Sequence, residues 1–61
     1  MSTFLDFLNT ADLDTLTGIP GINRALAEEL IAARPFEFVD EALKVRGMGK
    51  NLLARVQSAF E

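Results

Sequence analysis

The 61-residue sequence contains no cysteine, no histidine, no tryptophan and no tyrosine. Without Cys there is no disulfide framework, no thiolate nucleophile and no Cys-based zinc site, and without His there is no imidazole base and no commonest metal ligand. No nucleophile stands with a base, and no Gly-rich strand-to-helix loop carries a Lys, so an enzyme is not expected, nor a cofactor. Apolar runs are short, which leaves no stretch able to span a membrane, and Met1-Ser2-Thr3 lacks the basic start of a secretory signal. A complete chain of this kind is expected in the cytoplasm. Bases are scarce too: six Lys and Arg stand against nine Asp and Glu, a net charge of −3. Taken as a sum, that charge argues against binding a polyanion, because phosphate contacts draw their affinity from clustered Lys and Arg.

What is present describes an ordinary globule, 49% apolar and 25% charged. A chain this short makes one domain with a small core, burying only about 60% of its unfolded surface. Its charge is unevenly distributed. Residues 1–43 hold eight acids against Arg24 and Arg34, whereas residues 44–61 hold Lys44, Arg46, Lys50 and Arg55 against Glu61. The chain is electrically two-ended.

Apolar residues recur at helical spacing, so the expected class is all-α, with four to five helices. Thr3 and Asp6 form a capping-box pair opening a turn that carries Phe4, Leu5, Phe7 and Leu8. These four residues either cover the open end of the core or form a partner or self-association surface. Thr10 is the expected N-cap of a helix over Ala11 to Thr17, which Gly18 ends. A second helix is expected from Asn23 or Arg24 to Arg34, stopped by Pro35, a third over Val39 to Val45, and a last over Lys50 to Phe60. The organisation is a short apolar segment, 1–8, followed by a helical unit, 9–61.

A shift of 26 residues superimposes the chain on itself. Ile19, Gly21, Ile22, Arg24 and Leu26 fall on Val45, Gly47, Met48, Lys50 and Leu52. Each copy is helix, tight turn, helix, with turns near 19–24 and 45–50. Ile19-Pro20-Gly21-Ile22-Asn23-Arg24 and Val45-Arg46-Gly47-Met48-Gly49-Lys50 share one pattern: apolar, any, Gly, apolar, small, basic. This pattern resembles the helix-hairpin-helix motif, and residues 9–60 are similar to the tandem pair of ComEA-type competence DNA receptors. The resemblance implies non-sequence-specific binding of the DNA backbone by hairpin amides across the minor groove. It also implies that a hairpin can hold a monovalent cation between its carbonyls and a phosphate.

Physical chemistry supplies a reason for that use. A Gly lets a phosphate approach peptide N–H groups directly, and the turn runs into a helix whose first amides lack internal partners and whose dipole is positive at that end. Ile22 and Met48 are expected to point into the core and pin the turns. The candidate DNA-binding residues are Gly21, Asn23, Arg24, Arg46, Gly47, Gly49, Lys50 and Asn51, with the second hairpin leading. Arg24 is within reach of Glu28 one turn on, and Lys44, Arg46 and Arg55 are expected near the second hairpin. Gly47→Val with Lys50→Glu is expected to abolish binding while the fold persists. Two positions depart from the family pattern. Asn23 replaces a usual Gly, tolerating left-handed angles but narrowing the approach, and Phe38 replaces the usual Ser or Thr cap of the third helix. Phe36 and Phe38 share a face if that segment is extended. With no Trp or Tyr and its Phe residues expected in the core, the chain has no base-stacking platform, which favours duplex, bound weakly, over single strand. The alternative is a protein-interaction or structural module on the same fold that has lost DNA binding, consistent with the acidic first repeat.

Overall fold

Thr3 starts the first helix as expected. Its hydroxyl accepts the Asp6 N–H at 3.1 Å, and the Asp6 carboxylate accepts the Thr3 N–H at 3.2 Å. The computed structural model describes residues 3–60; Met1, Ser2 and Glu61, at the ends of the two expected segments, lie outside the described residues. The elements are α1 (Phe4–Thr10), α2 (Leu13–Thr17), α3 (Arg24–Ala32), a 3₁₀ helix (Val39–Lys44) and α4 (Lys50–Phe60). The chain is thus all-α, and no described helix is long and apolar enough to cross a membrane.

The helices differ in extent from expectation: α2 begins at Leu13 rather than Ala11, α3 ends at Ala32 rather than Arg34, and the third stops at Lys44 rather than Val45. Thr10 is not an N-cap but the last residue of α1, where its hydroxyl donates to the Asp6 carbonyl at 2.7 Å. With that hydroxyl bonded back along its own helix, Asp12 takes over the cap of α2 and accepts the Thr15 N–H at 2.8 Å. Hydrogen bonding from Thr15, side chain and then backbone N–H, holds the Asp12 carboxyl below its ordinary pKa. The third helix is 3₁₀ rather than α, with Glu41 N–H to Phe38 carbonyl and Val45 N–H to Ala42 carbonyl bonds closing its ends. Phe38 has no acceptor to offer it. The Glu41 carboxylate reaches back to accept the Phe38 N–H at 2.8 Å and also the Glu37 N–H.

Leu8, Leu16, Leu30 and Val56 are the largest fully enclosed side chains, joined in the core by Ile19, Leu26, Ala27, Phe36, Ala42 and Leu53. No polar side chain is buried among the described residues. Cutting one of the enclosed Leu residues to Ala costs about 2–5 kcal/mol, comparable with the whole stability of so small a chain. α2 packs on α3 and the 3₁₀ helix on α4, so each repeat closes on itself, while α1 lies against α4 and the 3₁₀ helix.

The N-terminal apolar residues belong to this core. Phe4 and Leu8 are buried, and Leu5 and Phe7 pack against them half-buried. Phe60 at the end of α4 meets the Phe4 ring at 5.7 Å and the Phe7 ring at 5.2 Å between centroids. Phe4 and Leu8 are therefore not free to form a partner surface, because they close the open end of the globule. α1 continues through residue 8 without a break, and its C-terminal end is tied to the chain after α3. The Arg34 guanidinium donates to the Leu8 carbonyl at 2.7 Å and the Ala11 carbonyl at 2.5 Å. Partial burial lowers the pKa of Arg34 without taking its charge at neutral pH. Asn9 brackets Phe36 from both sides, accepting its N–H at 2.6 Å and donating to its carbonyl at 2.9 Å. That clamp turns Phe36 inward, and the chain bends immediately after it, so Phe38 emerges 69% exposed. The two rings do not share a face.

Candidate nucleic-acid interface

The two hairpins are built alike. In the first, the Ile22 N–H donates to the Ile19 carbonyl at 3.0 Å; in the second, the Met48 N–H donates to the Val45 carbonyl at 3.0 Å. Gly21 and Gly47, third in each four-residue turn, have φ of +97° and +94°. Only these two described residues are left-handed, a conformation that costs any residue with a Cβ about 1–2 kcal/mol. Ile22 and Met48 are buried and pin the turns to the core, as expected. The same register holds in the following helices, where the Ala27 N–H bonds the Asn23 carbonyl and the Leu53 N–H bonds the Gly49 carbonyl.

Beyond the turns the copies part. Asn23 is extended, with φ −92° and ψ 175°, so the turn makes no use of its tolerance of left-handed angles. Instead it is the N-cap of α3: its side-chain oxygen accepts the Leu26 N–H at 2.8 Å and occupies the amide end that a phosphate would use. Gly49, the equivalent residue, has no side chain, and a Cβ built there would meet nothing within 4 Å. No side chain among the described residues accepts from the first turn of α4. The open helix start, with its unpartnered N–H groups and positive dipole end, is therefore at the second hairpin.

The glycines also meet across the repeat. A Cβ on Gly21 would lie 2.8 Å from the Leu52 side chain, and one on Gly47 would lie 3.5 Å from that of Leu26. Positions 21 and 26 shifted by 26 residues are 47 and 52, so each turn glycine is covered by the leucine of the opposite repeat. This reciprocal contact brings Gly21, Asn23, Arg46 and Gly47 around one shallow groove. The other expected site residues lie apart from it. Arg24 pairs with Glu28 at 3.5 Å on the exposed face of α3, as its spacing suggested. Lys50 lines a separate groove with Asp40, Leu43 and Leu53, and Gly49 and Asn51 are exposed at the start of α4.

A family model described as a helix-hairpin-helix motif matches residues 7–61. The chain belongs to the helix-hairpin-helix family. No curated protein and no solved structure gives a significant match. For this helix-hairpin-helix chain the motif suggests nucleic acid as a partner in general terms. One residue of the interface stands at the other hairpin from the one expected. Arg55, expected near the second hairpin, lies at the first: the same Cβ on Gly21 would be 3.3 Å from an Arg55 guanidinium nitrogen. Glu29, at the matching position of the first repeat, lines the groove with Arg46 and Gly47. The signal was in the register, because position 29 shifted by 26 is 55.

Proposed function

We propose that this chain binds duplex DNA without reading its sequence, holding the phosphate backbone on hairpin amides, as ComEA-type tandem hairpins do, with the second hairpin leading. One observation carries this function: α4 begins uncapped behind an unobstructed Gly49, while α3 begins capped by Asn23. A phosphate at Gly49 would meet free N–H groups and the positive end of an 11-residue helix. Lys50 and Arg46, both exposed, supply positive charge at that end of the molecule. Seen this way, the net charge of −3 limits affinity rather than abolishing binding, because the basic residues stand beside the open amides. The few phosphates involved, about two to four, make binding weak and steeply salt-dependent.

The test is anisotropy of a labelled duplex at two salt concentrations. Binding that weakens with salt and is indifferent to sequence supports the function; absence of binding at low salt removes it. In that event protein docking on the same fold takes its place, favoured by Phe38 standing 69% exposed next to Glu37 and near Asp40.

A further inference from the structure

The exposed charges at the two turns are exchanged between the repeats. Arg55 reaches from α4 to Gly21, beside Leu52, with a guanidinium nitrogen 3.3 Å and its Cδ 3.9 Å from where a Gly21 Cβ would stand. Arg24, the basic residue the first hairpin carries itself, is engaged with Glu28. Across the pseudo-repeat, the position matching Arg55 is Glu29, which shares the groove with Arg46 and Gly47 and forms no ion pair there among the described residues. The backbone and the covering leucines obey the repeat, whereas the charge at 29 and 55 inverts it.

Granting the DNA-binding function proposed above, we infer that each hairpin takes its phosphate-facing charge from the other repeat's second helix. Arg55 is the cation of the first hairpin, and Glu29 is the acid that restrains the second. A phosphate approaching Gly21 meets a planar guanidinium beside the covering Leu52 side chain, and that planar group suits bidentate contact. This offsets the loss of the amide end to Asn23. A phosphate at the second hairpin meets the open amides behind Gly49 but also the Glu29 carboxylate, which lines the groove with Arg46 and Gly47, and charges act over roughly 10 Å at 0.1 M salt. The second hairpin leads through its backbone, and Glu29 sets how far.

The test uses the full chain and a labelled duplex of arbitrary sequence, measured over a salt series, with thermal unfolding as a check that each surface variant folds. Arg55→Gln is expected to weaken binding about three- to tenfold and to reduce the slope of log affinity on log salt by about one. Glu29→Gln is expected to tighten it about two- to fivefold, and Glu29→Arg more. Asp14→Asn, which removes the same charge from α2, separates local from global effects. Glu29→Gln tightening binding no more than Asp14→Asn, or Arg55→Gln leaving affinity and slope unchanged, overturns the inference. If those results come from a wild type that binds and loses binding on Gly49→Asn, the DNA-binding function stands alone. A wild type that binds nothing, with Glu29→Arg equally silent, overturns both. A wild type that binds nothing but gains binding on Glu29→Arg upholds the charge placement and removes only the function.

Discussion

The two hairpins share a turn, a left-handed glycine and a covering leucine, yet differ at the residue after the turn. Asn23 caps its own helix and fills the amide end with a side-chain oxygen; Gly49 leaves the equivalent end bare. A helix start can be satisfied from within or left for a ligand, and the same backbone here does one of each. An Asn cap is worth only a few tenths of a kcal/mol over Gly. The bare end of α4 therefore costs little stability while leaving its first-turn N–H groups without a side-chain acceptor.

The largest expected effect breaks what the hairpins have in common. Gly21→Ala places a Cβ at positive φ and 2.8 Å from Leu52, so denaturant unfolding should show a loss above the roughly 1–2 kcal/mol of the backbone conformation alone. Gly47→Ala meets Leu26 at an ordinary 3.5 Å and should lose about that backbone amount. Equal losses would mean that the Leu52 contact relaxes freely. It follows that Gly47→Val is a poor probe of binding, contrary to what the sequence suggested: at φ +94° it strains the fold itself.

Gly49 is the cleaner position. Gly49→Asn copies the cap of the first hairpin onto the second and should weaken duplex binding about three- to tenfold with the melting temperature unchanged or slightly raised; adding Lys50→Glu should bring it to background. Unaltered anisotropy titrations would show that the amides of α4 are not the contact. The reverse exchange, Asn23→Gly, opens the first hairpin. It should tighten binding about two- to threefold while lowering stability by a few tenths of a kcal/mol.

The smallest effect concerns the helices leading into each turn. α2 is capped by Asp12, whose carboxyl is held below its ordinary pKa, so its contribution is present above the unfolded value and is lost as pH falls through the lower folded value. The 3₁₀ helix is held by Glu41 reaching back to Phe38. Amide exchange should show α2 losing protection only in the acid range below about pH 4, and Asp12→Asn should remove that dependence. Protection of α2 that does not vary with acid would separate the cap from its charge.

Much of this was legible along the chain, for reasons that are local. The capping box at Thr3, the glycines of the turns, the stop before Pro35 and the span of α4 depend on residues within a few positions of one another. The misreadings have equally specific causes. Thr10 and Asp12 are both good caps, and the choice went to the one whose side chain was not bonded back to its own helix. Phe36 and Phe38 alternate in sequence, yet Asn9, 27 residues away, holds only Phe36 inward. Arg34 looked like the tail of a helix, although its guanidinium closes the end of α1.

By itself the sequence determined the all-α class, the tandem repeat, the turn chemistry and the family, because helix periodicity, capping and positive-φ glycine act over a few residues. Only the tertiary structure decided where the charges stand. The repeats pack reciprocally, so Arg55, counted with the basic end of the chain, serves the first hairpin, and Glu29, counted with the acidic part, faces the second. Electrostatic interaction depends on distance through space and not on distance along the chain. The two-ended charge of the sequence is therefore folded into an exchange between the hairpins.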